Sequence, residues 1–542
     1  MTGAPLTRLA QRVMSARAGL EPETSRYRVS RGLVVPMRDG VNLIADHYRP
    51  LTDTPAGTLL MRGPYARDSL AARATMGLYA ARGYHVLLQS TRGSFGSGGS
   101  FDPGVNETAD GVDTVEWLRQ QPWFTGSFAT VGASYLGFTG WALMADPPPE
   151  LTGSVIIMAP HHIGRAAWGR GTFALIDFLT WGYQVTWHER GGWIRQLIRN
   201  ALMPRKLQPV LETLPLEDAA GSVLGGASPF YEPWLHNSEP DGDYWIQRSA
   251  SIDVVQTPVL LIGGWQDIFF DQTVEQFISL HARGVDVTLM IGAWTHGQGG
   301  TAAIRESLEW LGGQRRTTPV RVEVTTDAGW RDLPTWPPEA REIALCPQPD
   351  GALADQPASG TATFVYDPAE PTPTLGGRLL ALSGAGYVDD SALAQRSDVL
   401  TYTGPVLAAD LEVIGVPRVE LTHSADTVGA DVMVRLSDVD AEGRSRNVSD
   451  GYVSLASGAQ AALRVDLDSV AHRFPAGHRI RLSVGGGSFP RYARNPGTGV
   501  PVATATELIP STHVVEFDGF RLVLPTAWIE APSDVSAVAT GR

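Results

Sequence analysis

Between residues 131 and 141 the sequence reads VGASYLGFTGW, with Ser134 two residues after one glycine and three before another. An apolar run gives way there to helical spacing. A serine lifted on a sharp strand-to-helix turn can attack a carbonyl carbon when a base takes its proton and a carboxylate orients that base. The usual elbow is G-x-S-x-G, whereas Leu136 stands at the second glycine position here and Gly137 follows it. Taken alone, Gly-x-Ser is more often an ordinary buried turn.

The partners decide the matter. GGWQDIFFD places Asp267 just past the apolar run TPVLLIGGW (257–265), and GAWTHG places His296 just past DVTLMIGAW (286–294). Singly, His296 reads as a packed or exposed histidine and Asp267 as a helix cap, with Asp271 competing for the carboxylate role. Ser134, Asp267 and His296 in that order at three strand ends make a nucleophile, its orienting acid and its base. Asp267 is preferred because it lies closer to its strand end. The oxyanion needs two donors. The backbone N–H of Tyr135 follows the nucleophile, and Tyr65 in MRGPYAR (61–67) offers a hydroxyl where Pro64 has no N–H. From spacing alone Tyr65 reads equally as a packed tyrosine.

The elements that must hold these residues are legible in the hydropathy pattern. RGLVVPMRDGVNLIADHYRP (31–50) reads as two strands about an Asp39-Gly40 turn. TLLMRG, YHVLLQ, FATVG and SVIIMAP are continuous apolar runs, as expected of parallel strands buried on both faces. Residues 163–250, rich in Trp, Leu, Ile and Arg without β alternation, read as a helical insertion. From about 319 the period becomes two, beginning with VRVEVTT (320–326), which predicts an antiparallel sandwich. The expected fold class is α/β, with these divisions: an N-terminal helical extension over 1–27, a first α/β part over 28–150, a helical cap over 151–250, a second α/β part over 251–318, and a jelly-roll β-sandwich over 319–542. In the extension, Leu6, Leu9, Val13 and Met14 fall at helical spacing, giving a packing or surface helix.

A chain of 542 residues with 43 Lys and Arg against 57 Asp and Glu carries a formal charge of -14, which disfavours nucleic acid and anionic membranes and leaves neutral or cationic small substrates. One cysteine, Cys346, builds neither a disulfide framework nor a thiolate metal site, in keeping with a reducing cytoplasm. RGSFGSGG (92–99) lacks the Lys-Ser/Thr ending of a phosphate loop, and His161-His162 has no carboxylate at ligand spacing. No cofactor or metal is expected. Asp110, Asp113 and Glu116 read as a solvated helix face.

Taken together, VPMRDGVNLIADHYRP, RGPY, QSTRGSFGSGGSF, ETADGVDTVEWLRQQPW, GASYLGFTGW, GGWQDIFF, GAWTHG and FPAGHRIRLSVGGGSFPRYARNPGTG resemble the cocaine esterase (CocE/NonD) family, related to X-Pro dipeptidyl-peptidases and α-amino acid ester hydrolases. The resemblance implies an α/β-hydrolase fold with an inserted helical cap and a C-terminal jelly roll. It implies Ser134, Asp267 and His296 as catalytic residues, with Tyr65 and Tyr135 at the oxyanion hole. It also implies Trp168, Trp181, Phe269 and Leu136 as substrate-binding residues, although each reads from its spacing as ordinary core.

The sequence departs from the pattern at three places. Ala381 replaces a ring-contacting phenylalanine, Ser90 replaces an acid before the Arg92-Gly93 loop, and Ile268, Phe269 and Phe270 stand where the amino acid ester hydrolases carry acids that bind an ammonium group. The expected activity is hydrolysis of small carboxylic esters through an acyl-enzyme. The alternatives are an amidase or X-Pro dipeptidyl-peptidase-like peptidase, an acyltransferase, or a non-catalytic binding protein. The expected partner is a small ester or amide, with a homodimer left open.

Overall fold

The computed structural model describes residues 5–187, 189, 193–224, 228–326, 329–380 and 384–527. After helix α1 (Pro5–Ala18), strands β1 (Tyr27–Pro36) and β2 (Asn42–Pro50) form the antiparallel pair predicted about Asp39-Gly40. There follow β3 (Gly57–Gly63), α2 (Leu70–Ala80), β4 (Tyr84–Ser90), α3 (Glu107–Arg119), β5 (Phe128–Ala133), α4 (Tyr135–Met144) and β6 (Leu151–Ile157). The helical insertion comprises α5 (Ile163–Trp168), α6 (Leu175–Trp187), α7 (Trp193–Glu212), α8 (Leu216–Leu224), α9 (Tyr231–His236) and α10 (Asp243–Ile246). Then come β7 (Val259–Gln266), α11 (Phe270–Ala282), β8 (Val287–Thr295), α12 (Gly300–Leu311), β9 (Val320–Val324) and β10 (Gly329–Leu333).

These strands form one sheet in the order β1-β2-β4-β3-β5-β6-β7-β8-β9-β10, parallel from β4 to β9. Every residue of β4 and β7 is buried, as continuous apolar runs require. Alternate side chains feed cores on opposite faces. Leu60, Leu87, Ile156 and Leu261 join one cluster, while Leu59, Met61, Val86, Val155 and Leu260 join the other. Each large apolar side chain so buried contributes roughly 1.5–3 kcal/mol.

Parallel strands bring their C-terminal ends to one edge. Ser134 follows β5, Asp267 follows β7 and His296 follows β8, with β6 lying between β5 and β7. The sandwich beyond β10 holds an eight-stranded and a four-stranded sheet among the described residues, and its strand Ala430–Val439 is buried throughout.

Two readings of the sequence differ from the structure, whereas the N-terminal helix is the packing or surface helix expected. VRVEVTT, expected to open the sandwich, instead supplies β9, which pairs in parallel with β8 through Leu289↔Val320 and Ile291↔Val322. Near the sheet edge only Val320, Val322 and Val324 are covered, so β9 carries the same period of two as a sandwich strand. Helix α1 buries Thr7 and Gln11 and leaves Leu6 70 % exposed, because Gln11 accepts the Tyr27 hydroxyl at 3.1 Å and turns the polar side inward. Asp110 is not solvated: it is buried and paired with Arg92 at 2.6 Å.

Sandwich, α11 and the helical insertion meet through an ionic network. Arg435, fully buried, pairs with Asp450 at 2.6 Å, and Asp450 also receives Arg491 at 3.2 Å. Arg378 joins Asp468 at 2.9 Å to Asp271 at 2.7 Å, and Arg170 binds both those carboxylates. Buried guanidinium groups are tolerable only while paired. Replacing Asp450→Ala is therefore expected to destabilise the protein by about 3–5 kcal/mol, seen as a lowered thermal midpoint; an unchanged midpoint would show that Arg435 and Arg491 do not depend on it.

Candidate active site

Ser134 sits at φ 56° and ψ -128°, a left-handed conformation costly for any residue with a β-carbon. Its surroundings enforce the turn: the Ser134 N–H donates to Ile157 O at 2.9 Å on β6, and Phe138 N–H donates back to Ser134 O at 3.1 Å to begin α4. A β-carbon on Gly132 would lie 2.2 Å from the Leu136 backbone, and one on Gly137 would lie 2.5 Å from Ala159 Cβ. Those two glycines are where helix and strands touch. The leucine at the second glycine position of the motif is accommodated by Gly63 opposite, whose β-carbon would meet Leu136 Cδ1 at 2.3 Å. The departure from G-x-S-x-G is thus compensated on a neighbouring strand.

His296 Nε2 lies 3.0 Å from Ser134 Oγ, and His296 Nδ1 lies 2.5 Å from Asp267 Oδ1. Asp267 is fully buried and its other oxygen accepts the Phe269 N–H at 3.0 Å. With a carboxylate on Nδ1, the imidazole carries its proton there and presents Nε2 as the acceptor for the serine hydroxyl. Phe269 packs edge-on against the imidazole, with ring centres 5.3 Å apart. Asp271 faces away, held by Arg170 and Arg378. Burial opposes its ionisation, but the two guanidinium groups hold its carboxyl below the usual range.

The Tyr65 hydroxyl hydrogen-bonds the Ser134 side chain and accepts the Trp181 indole N–H at 3.3 Å. Burial raises its pKa, which keeps the phenol a neutral donor. As the first residue of α4, Tyr135 has a backbone N–H with no intrahelical acceptor. Its side chain turns the other way. The phenol donates to Glu107 Oε1 at 2.9 Å and accepts the Gly104 N–H at 2.9 Å, while Arg62 pairs with Glu107 at 3.1 Å. Glu107 and Arg62, which anchor the residue after the serine, carry no spacing signal that reveals this role. Ser90, standing where an acid was expected, accepts from Arg67, and the loop that follows Arg92-Gly93 is tied to β4 by the Ser97 hydroxyl, which donates to Ser90 O at 2.9 Å.

A cavity of about 560 Å³ opens on Ser134 and His296. Leu136, Trp181 and Phe269 line it, joined by Phe178 and Trp234, which the sequence reading did not single out. Trp168 packs behind the wall, its indole N–H donating to Trp234 O at 2.8 Å, because α5 turns that face into the helical core. Phe270 packs on Trp265 in the interior, and Ala381 lies outside the described residues. A second, more polar cavity of about 490 Å³ shares Ala166, Asp177, Ile268 and Phe269 with the first. Among the described residues, no group of three His, Cys, Asp or Glu is arranged to hold a metal, and no helix is long and apolar enough to cross a membrane.

Gly132→Ala is expected to cost about 3 kcal/mol or more by overpacking the elbow and to lower Ser134 labelling by a fluorophosphonate. Wild-type stability and labelling in that variant would contradict the close approach.

Comparison with known proteins matches residues 39–298 to the X-Pro dipeptidyl-peptidase (S15 family) model and residues 313–520 to the X-Pro dipeptidyl-peptidase C-terminal non-catalytic domain. The chain is 30% identical over 550 residues to the cocaine esterase of Rhodococcus sp., spanning 88% of this chain and 94% of that one. Among solved structures, an aminopeptidase from a marine sediment archaeon, Thaumarchaeota archaeon, superposes with a TM-score of 0.79 at 23% identity over 92% of this chain and 96% of its own. An α-amino acid ester hydrolase superposes with a TM-score of 0.76 at 21% identity over 94% and 98%. At those identities the two structures speak for the fold alone.

Proposed function

The chain belongs to the X-Pro dipeptidyl-peptidase (S15) family and is an α/β-type ester hydrolase, and from that premise we propose that it cleaves small carboxylic esters through an acyl-enzyme on Ser134. The observation that carries the reading is the continuous hydrogen-bonded line from Asp267 through His296 to Ser134, at 2.5 and 3.0 Å, opening on an apolar cavity. Ser134 Oγ attacks the ester carbonyl carbon as its proton passes to His296 Nε2. Asp267 holds the imidazole and offsets its positive charge. The carbonyl oxygen, now an anion, takes hydrogen bonds from the Tyr65 hydroxyl and the Tyr135 N–H.

Collapse of that intermediate breaks the ester C–O bond, and the alcohol leaves with the proton from His296. Water then enters, gives a proton to Nε2 and attacks the acyl carbon. The resulting acid departs and the proton returns to Ser134. Trp181, Phe269 and Leu136 hold the acyl group, their apolar surfaces leaving only the carbonyl to polar contacts.

Hydrolysis of amides through the same intermediate is the second reading. Ester cleavage is favoured because the Rhodococcus esterase likeness spans nearly the whole of both chains. Cys346 and the -14 charge suit a cytoplasmic enzyme acting on small molecules.

The test is turnover of p-nitrophenyl acyl esters, from acetyl to benzoyl and longer chains, beside matched anilides. The wild-type protein is expected to cleave esters well above anilides, with Ser134→Ala inactive and Tyr65→Phe lowered in kcat by about 100- to 1000-fold. Activity surviving in Ser134→Ala would overturn the assignment of the nucleophile; anilides cleaved as fast as esters would move the reading to an amidase.

A further inference from the structure

His296 follows a strand that does not run straight. β7 and β8 stay in register from Val259↔Val287 to Gly264↔Gly292, and pairing resumes at Gln266↔Thr295, so that Trp265 alone faces both Ala293 and Trp294. Such a β-bulge leaves a backbone group of the longer strand without its ladder partner and re-aims whatever follows it. Here the bend lies between the regular sheet and His296. A β-carbon on Gly264 would lie 2.4 Å from Trp294 O, so the displaced segment rests directly on β7.

On its other side β8 loses its second neighbour at the same level, because the register with β9 ends at Ile291↔Val322. The next residue of β9, Glu323, takes over with its side chain: Oε2 accepts the Ala293 N–H at 2.9 Å. The backbone carbonyl of Glu323 accepts the Trp265 indole N–H at 2.8 Å. One residue thus holds both sides of the bulge, at Trp265 two positions before Asp267 and at Ala293 three positions before His296. Asp267 and His296 meet at 2.5 Å, a separation that depends on how each strand emerges from the bulge. A carboxylate is a strong acceptor for the stranded amide, since hydrogen bonds to charged groups are the short, strong ones.

The clamp can be reached from outside. A cavity of about 750 Å³, which shares no lining residue with the one at Ser134, is lined by Ala293, Glu323 and Arg446. Asp438, the other acid lining it, is paired with His472 at 3.3 Å and His478 at 2.8 Å. Truncating Glu323 would open the Ala293 N–H to this space, where Arg446 favours a small anion.

We infer that Glu323 is a positioning residue, which holds the bulge of β8 in the shape that delivers His296 to Asp267 and Ser134. This role rests on the acyl-enzyme reading above and adds to it the residue that aligns the base.

The test compares Glu323→Ala, Glu323→Gln and Glu323→Asp with the wild-type protein, each checked for native circular dichroism. Two rates are followed: turnover of p-nitrophenyl esters, resolved into kcat and KM, and labelling of Ser134 by a fluorophosphonate. Small misplacement of a reacting group costs up to about 100-fold, so Glu323→Ala is expected to lose about 10- to 100-fold in kcat and in labelling, with KM changed by less than about threefold. Glu323→Gln keeps an oxygen at the same reach and should recover most of that loss. Glu323→Asp keeps the charge but is one methylene short, and should fall below Glu323→Gln. Added formate, with chloride as the ionic control, should restore part of the kcat of Glu323→Ala and leave the wild-type rate unchanged.

Wild-type rates in Glu323→Ala, a loss confined to KM, or Glu323→Asp outranking Glu323→Gln would overturn the role. So would a loss in Glu323→Ala that Glu323→Gln shares and formate does not reverse, since that is the mark of general destabilisation. If Glu323→Ala does not fold, the order of Glu323→Gln and Glu323→Asp decides. If the folded wild-type protein labels at Ser134 but cleaves no ester, the ester reading falls and the labelling rates alone judge Glu323; if it does neither, both readings fall.

Discussion

Everything at the catalytic centre depends on how closely α4 is pressed against the end of β5. With less than a β-carbon of space between Gly132 and the Leu136 backbone, the chain can leave the strand and enter the helix only through a residue at positive φ, and that residue is Ser134. The strain is local and of the order of 1–3 kcal/mol, small against the apolar surface that α4 buries through Phe138, Trp141 and Leu143. The packing of the helix therefore sets the conformation of Ser134. A longer or looser turn would let the serine relax to negative φ and withdraw its hydroxyl from His296.

The same turn aligns the electrostatics. Because Ser134 occupies the N-cap of α4 and its side chain makes no capping bond, the Tyr135 N–H at the head of the helix is left without a cap, on the side where a carbonyl oxygen would become an anion. The Tyr135 side chain is meanwhile drawn into the interior by Glu107, which Arg62 in turn neutralises. Burial outweighs Arg62 and raises the Glu107 pKa, so this anchor is held in a dry, polar pocket whose geometry has little room to vary. Backbone and side chain of one residue thus serve different ends, one facing the cavity and the other fixing the helix.

The juxtaposition of Ser134, Asp267 and His296 was legible because parallel strands announce themselves as continuous apolar runs and their C-terminal ends share an edge. Three polar residues placed just past such runs are neighbours whatever the intervening loops do. Features set by long-range contacts were not legible. The compensation of Leu136 by Gly63 joins α4 to β3 across more than seventy residues, and neither position signals the other. β9 was assigned to the sandwich because an edge strand covered on one face has the same alternation as a sandwich strand. Asp110 looked solvated because a helix wheel cannot show that Arg92 arrives from the preceding loop. The place of Trp168 was not legible for the same reason: Trp168 and Trp181 are both aromatics of the insertion, and only the direction in which α5 and α6 turn distinguishes core from lining.

Chemistry and selectivity consequently reside in different layers. Ser134, Asp267 and His296 hang from β5, β7 and β8, whose positions are fixed by cores on both faces of the sheet. The cavity wall comes from the segment between Tyr65 and Met76, which runs into α2, from α6, and from Ile268 and Phe269 just before α11; the last two are tied to the sandwich through Arg170, Asp271 and Arg378. A change in α6 can therefore alter what is bound without moving Ser134 or His296, while Trp181 links that helix to the Tyr65 hydroxyl. The ionic network completes the argument. By clamping Asp271 four residues beyond Asp267, it holds the competing carboxylate away from the imidazole, while Phe269 between them packs edge-on against that ring.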